Sequence, residues 1–187
     1  QGFSIANKYR SLEDNRNSLY LELLRVIKDK KPKYFIAENV PGICSLGGYA
    51  TKEDKLNHKG IIFSQILKEL ESANNIGYTV NFKILNSADF GVPQIRRRVI
   101  IFGVRKDINQ ELEYPKPVYF KNSITNKWLT VKEALANLPE NPSNKIPKHI
   151  GTNHKVKING HIGNRKTEWN KPSPTIVGRG GGTGGPV

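Results

Sequence analysis

Cysteine is almost missing from this sequence: Cys44 is the only one in 187 residues, so no disulfide can form within the chain. A lone thiol fits a reducing compartment. Long apolar runs are missing too. None approaches the roughly 20 residues that cross a bilayer, and the first residues hold no signal-peptide core. The expectation is a cytoplasmic protein without a membrane partner. His149, His154 and His161 have no cysteine or acidic residue at ligand spacing, so no metal site is expected. The glycine-rich "GRGGGTGG" lacks the Gly-Lys-Ser/Thr ending of a phosphate loop. There is no internal repeat. An opening strand with a Gly-rich, nucleotide-binding turn is also absent; the sequence starts at "QGFS".

Acidic residues are scarce, 16 against 30 Lys and Arg, and the net charge is +14. The imbalance is uneven. Residues 116–187 hold 12 basic and 3 acidic side chains, a balance of +9, which leaves +5 for the rest. A positive field concentrated in one loop-rich part is the footprint of a phosphate-backbone binder. By charge alone, an anionic membrane surface or plain solubility would also account for it. With 36% hydrophobic residues the chain has enough apolar material for a core.

Periodicity organises the first hundred residues. Leu19, Leu23, Leu24, Val26 and Ile27 recur at helical spacing, and Pro32 breaks the run. Residues 34–37 form a short apolar stretch of the type buried in a parallel sheet. "GGYATKEDKLNHKG" reads as a polar, mobile loop. "IIFSQILKELESA" reads as a second amphipathic helix with Ile62, Ile66, Leu67 and Leu70 on one side. "GYTVNFKILN" and "RRRVIIFGVR" read as strands. The order resembles the later half of a doubly wound α/β sheet that ends in an antiparallel pair. Beyond residue 105, prolines and asparagines mark a loop-rich region with one short helical piece, "TVKEALANL".

Three strings carry the chemistry: "QGFS" (1–4), "ENV" (38–40) and "GVPQIRRR" (91–98). In this order they resemble the DNA cytosine-5 methyltransferase family, in which a Pro-Cys dipeptide stands just before Gln-x-Phe-Ser. "NSADFGVPQIRRRVIIFGVR" follows the family pattern almost throughout. "WNKPSPTIVGRGGGTGG" looks like its late motif, which returns the recognition region to the catalytic lobe. The resemblance implies a Rossmann-like methyltransferase sheet. It divides the chain into a partial catalytic lobe (1–105), a short target-recognition region (106–164) and a returning segment (165–187).

The residues support site assignments beside the name. A carboxyl at a strand end among apolar neighbours is partly desolvated, and it can share or donate a proton to a ring nitrogen. Glu38 is therefore the candidate activator of cytosine N3, and Asn39 the amide that shapes its turn. A glutamate capping the next helix, or paired with a lysine, is the plainer reading. Arg96 and Arg98 would share one strand face, with Arg97 on the other. The resemblance gives Arg98 the cytosine O2 and Arg96 a phosphate or the catalytic loop. A basic strand edge that blocks aggregation is the alternative. Gln94 is placed as a structural residue of the same site.

The resemblance also implies that Gln1 and Ser4 contact phosphates from a closing loop and that Leu19 lies near the methyl donor's adenine. Arg179 and Gly180 would approach DNA, unless the tail is simply loose. The implied cofactor is S-adenosylmethionine, the implied partner double-stranded DNA, and the implied setting restriction-modification. Cys44 has no adjacent base or cation cluster, so it reads as packed and inert; the nucleophile is expected before Gln1. The chain by itself is expected to lack activity. It is also expected to associate with itself or with a complementing chain through an open sheet edge. A non-catalytic DNA-binding subunit and a tRNA-methylating relative remain the other readings.

Overall fold

The computed structural model describes residues 19–139, 145–147 and 167–176. They fall into two units, 19–85 with 97–115, and 86–96 with the described residues from 116 onward.

In the first unit, helix α1 (Leu19–Lys30) carries Glu22 in its first turn and Lys28 and Lys30 in its last, in line with the helix dipole. Leu24 and Ile27 are buried, while Val26 is 45% exposed; the expected stripe is thus narrower than its five residues. Lys31 takes a left-handed conformation (φ +47°) and donates its N–H to Ile27 O at 2.9 Å, and Pro32 then prevents continuation.

Strand β1 (Tyr34–Asn39) leads into a buried 3₁₀ turn, Pro41–Ser45. The stretch read as a polar loop contains a short helix, α2 (Lys52–Leu56). Its first turn is closed by a capping box: Thr51 Oγ1 accepts from Asp54 N at 3.0 Å, and Asp54 Oδ2 accepts from Thr51 N at 3.0 Å. The three-residue spacing of Thr51 and Asp54 is what the loop reading overlooked. Helix α3 (Ile61–Glu71) buries Ile66, Leu67 and Leu70 as expected, with Phe63 fully buried beside them and Ile62 only partly.

Strands β2 (Tyr78–Asn86) and β4 (Arg97–Arg105) complete a three-stranded sheet in the order β1-β4-β2. A two-residue strand, β3 (Gln94–Ile95), lies between them in the sequence. Residues 34–37, expected as a buried parallel strand, have one partner strand among the described residues, and that pairing is antiparallel. β1 pairs antiparallel with β4, from Tyr34 opposite Val104 to Asn39 opposite Val99, and its residues alternate between exposed and more buried. One face, with Phe35, Val99, Ile101 and Tyr78, joins α1 and α3 in a single apolar cluster. The Phe35 ring meets Tyr78 edge-on at 5.2 Å between centroids and lies across Gly103, its partner in the register. A Cβ on Gly103 would stand 2.0 Å from that ring. The facing position has room only for glycine.

The other face of β1 and β4 carries Ile36, Glu38, Arg98, Ile100 and Phe102, by the two-residue period of strands. Tyr114 covers part of it. Its ring stacks on Phe102 at 4.5 Å, and its hydroxyl donates to Asn81 O and Ile100 O, both at 2.9 Å. Burial pushes that hydroxyl's pKa up to about 12.

In the second unit, Ser87–Phe90 forms a 3₁₀ turn closed by Gly91 at φ +81°. β3 pairs in parallel with β5 (Ser173–Pro174), and Ser173 N donates to Pro93 O at 2.9 Å. The short helical piece expected near residue 131 is α4 (Val131–Ala134), capped by Thr130 and Glu133. No helix among the described residues is long and apolar enough to cross a membrane.

Candidate active site

Glu38 and Arg98 come together in the first unit, and the register explains why. Glu38 faces Ile100 across the β1–β4 ladder. Arg98 stands two residues from Ile100, so it takes the diagonal position on the same face, within reach of a long side chain. Arg98 Nε lies 2.7 Å from Glu38 Oε1. The guanidinium is mostly covered, with 19% of its side chain exposed, whereas the Glu38 side chain is 42% exposed. Arg98 Nη1 also donates to Arg97 O at 2.8 Å. A planar donor fixed at two points holds the carboxylate in one orientation. The described residues supply a held, half-open carboxylate.

The 3₁₀ turn after β1 starts at Val40, whose side chain makes no cap bond. Among the described residues Arg98 lies on the middle strand, β4, and not at a sheet edge. Asn39 ends β1, and its Oδ1 accepts from Val40 N at 2.8 Å, turning the chain out of the strand.

Gln94 and Arg96 belong to the second unit. The strand assignment is interrupted at Arg96, between Ile95 and Arg97. Arg96 N donates to Asn86 Oδ1 at 3.1 Å, and Arg96 O accepts from Ser87 N at 3.0 Å. The main chain of Gln94 is held by Ser87 Oγ, which donates to its carbonyl at 2.6 Å. Nothing in the spacing of "NSADFGVPQ" distinguishes Asn86 or Ser87 from ordinary turn residues. The available signal is that both fall inside the motif.

Cys44 is 2% exposed, and burial pushes its thiol up to about 11. It is a core residue, as read. Leu19 opens α1, while its side chain, together with Gln1, Ser4, Arg179, Gly180 and the three histidines at 149, 154 and 161, lies outside the described residues. Cavities of about 680, 460 and 390 Å³ are lined by other residues, none of them Leu19, Glu38 or Asn39.

The family model for the C-5 cytosine-specific DNA methylase matches residues 1–179, and the chain belongs to that family. The three-stranded sheet is accordingly part of a Rossmann-like methyltransferase sheet. The Type II methyltransferase M.BsuRI of Bacillus subtilis is 37% identical over 179 residues, covering 96% of this chain and 36% of that protein. The Type II methyltransferase M.NgoFVII of Neisseria gonorrhoeae is 34% identical over 206 residues, covering 97% and 51%. Among solved structures, the Entamoeba histolytica methyltransferase EhMeth overlaps 62% of this chain and 32% of its own at a TM-score of 0.40 and 25% identity. The chain spans roughly a third to a half of the length of the curated relatives it matches.

Proposed function

We propose that these residues serve a restriction-modification DNA methyltransferase that moves a methyl group from S-adenosylmethionine to C5 of a cytosine flipped out of duplex DNA. The observation that carries the reading is the 2.7 Å pairing of Arg98 with Glu38 on one face of the β1–β4 ladder. It offers a carboxyl oxygen and a guanidinium side by side. Cytosine presents N3 and O2 side by side, so a carboxyl can share its proton with N3 while a guanidinium donates to O2. Drawing electron density toward N3 leaves C6 open to attack by a thiolate. The buried, neutral thiol of Cys44 is unsuited to that attack, so the nucleophile is a different cysteine.

Arg96 and the excess of lysines in residues 116–187 would hold phosphates. Leu19 is assigned to the adenine end of the donor by the family resemblance alone. The 187-residue chain taken alone does not transfer methyl groups in this reading. Labelled methyl incorporation into an unmethylated plasmid tests it: the complete protein incorporates label, Glu38→Gln abolishes incorporation, and this chain alone stays at background. A Glu38→Gln variant with full activity would overturn the assignment.

A further inference from the structure

Asp89 lies in the 3₁₀ turn before Gly91, and three groups converge on it. Trp128 Nε1 donates to Asp89 Oδ1 at 2.8 Å, and Val118 N and Tyr119 N donate to Asp89 O at 2.9 and 3.0 Å. One residue thus clasps both ends of the 118–128 loop, the incoming end through its carbonyl and the outgoing end through its carboxylate. The Tyr119 ring adds a second clasp: a Cβ on Gly91 would lie 2.9 Å from its Cε2. The loop also closes on itself, with Phe120 N donating to Asn126 O at 2.8 Å and Asn126 N to Ser123 Oγ at 3.1 Å.

What the clasped loop presents is specific in chemistry. Residues 116–128 contain Lys116, Lys121 and Lys127 and no acidic residue, so the carboxylate that anchors the loop comes from outside it. Lys121, Asn122 and Lys127 are exposed, and Ile124 at the tip is fully exposed. Lys121, Asn122, Lys127 and Trp128 line a cavity of about 460 Å³ together with Lys171 and Pro174. Ammonium groups meet phosphates, an amide pairs with base edges, and a small apolar tip fits against a thymine methyl or a base step. Such contacts discriminate between sequences only when the loop is held in one place.

We infer that Asp89 is a positioning residue: through Trp128 and the loop backbone it fixes the 118–128 loop against the Gly-Val-Pro-Gln segment, and so sets how strictly DNA sequence is read. The inference rests on the DNA-methylating function proposed above. Asp89 touches neither the reacting base nor the donor in this role, and its effect belongs in DNA affinity and site choice. The indole-to-carboxylate bond is charge-assisted, and its loss leaves a half-buried donor unpaired.

The test uses the complete protein and a plasmid of mixed sequence, with bisulfite sequencing to map the methylated cytosines. Asp89→Ala and Trp128→Phe should each raise KM for DNA about tenfold and spread methylation to off-site cytosines, while kcat stays within about twofold. Asp89→Asn keeps an oxygen acceptor without its charge and should fall between the parent protein and Asp89→Ala. The combined Asp89→Ala, Trp128→Phe variant should be no worse than either change alone. Thermal melting accompanies each variant, and Trp128→Phe, which keeps the ring, carries the test if Asp89→Ala fails to fold. A folded Trp128→Phe protein with unchanged KM and site map overturns the inference. So does a fall in kcat at constant KM, which would place Asp89 in the chemistry. A parent protein that methylates no DNA at all sinks the proposed function and this inference with it, an outcome distinct from variants that match an active parent.

Discussion

Arg98 reaches diagonally across the antiparallel pair of β1 and β4 to place its Nε 2.7 Å from Oε1 of Glu38. The two residues are 60 positions apart in the sequence and share a face because strands have a period of two. The partly exposed pair contributes little to stability, at most about 1 kcal/mol. Its value lies in orientation. In the complete protein, Glu38→Gln and Arg98→Ala should each lower methyl transfer by about a hundredfold or more while leaving the melting temperature within a few degrees. Measuring both rate and melting for each variant checks this; a collapse of stability without a specific loss of rate would argue for a structural role.

Cys44 should be silent in the native protein. With its thiol held up to about 11 by burial, almost no thiolate exists at pH 8, and alkylating reagents should modify it only after denaturant is added. A thiol that titrates higher in the folded state than in the unfolded state keeps its full contribution below pH 9 and loses it as pH rises toward 11. Tyr114 acts in the same direction between pH 10 and about 12. Folding free energy should therefore fall by about 1 kcal/mol per pH unit above pH 9, and Cys44→Ala should remove the early part of that decline. Denaturant unfolding between pH 7 and pH 10.5 measures it.

Gly103→Ala should destabilise the first unit by about 1–3 kcal/mol, because the new methyl group would overlap the Phe35 ring 2.0 Å away. Shortening the ring partner should relieve part of the loss. A Phe35→Leu, Gly103→Ala double variant that is more stable than the sum of the single changes is the expected result in chemical unfolding.

Among the described residues β1 pairs only with β4, and Ile36 in its middle is 66% exposed. Open strand backbone beside an exposed apolar side chain favours pairing with another chain. The 187-residue chain should show a weight-average mass that rises with concentration in sedimentation. It should also bind a chain that supplies the rest of the methyltransferase sheet. A constant monomer mass with no such binding would count against this.

Much of the architecture was legible in the sequence. α1 and α3 were readable from apolar residues three and four apart, β2 from alternating residues, and β4 from a solid apolar centre. The errors have identifiable physical sources. A short apolar run such as residues 34–37 looks alike in either orientation, and its antiparallel pairing is set by β4, 64 to 70 residues later. α2 was hidden by the charge of "KEDKL", in a helix too short to show an apolar stripe, although Thr51 and Asp54 carried its cap. The one-residue break at Arg96, between β3 and β4, left no mark in the spacing.

The sequence by itself determined the family, through motifs whose residue types and order are dictated by chemistry. It also determined the exclusion of a disulfide framework, since one cysteine cannot pair within the chain. Tertiary structure decided which side chains meet. Only the register of β1 on β4 brings Glu38 to Arg98, and only the fold of the second unit brings Asp89 to Trp128, 39 residues away. Those contacts depend on strand orientation and loop closure, which arise from packing distant segments together and which no local pattern of residues encodes.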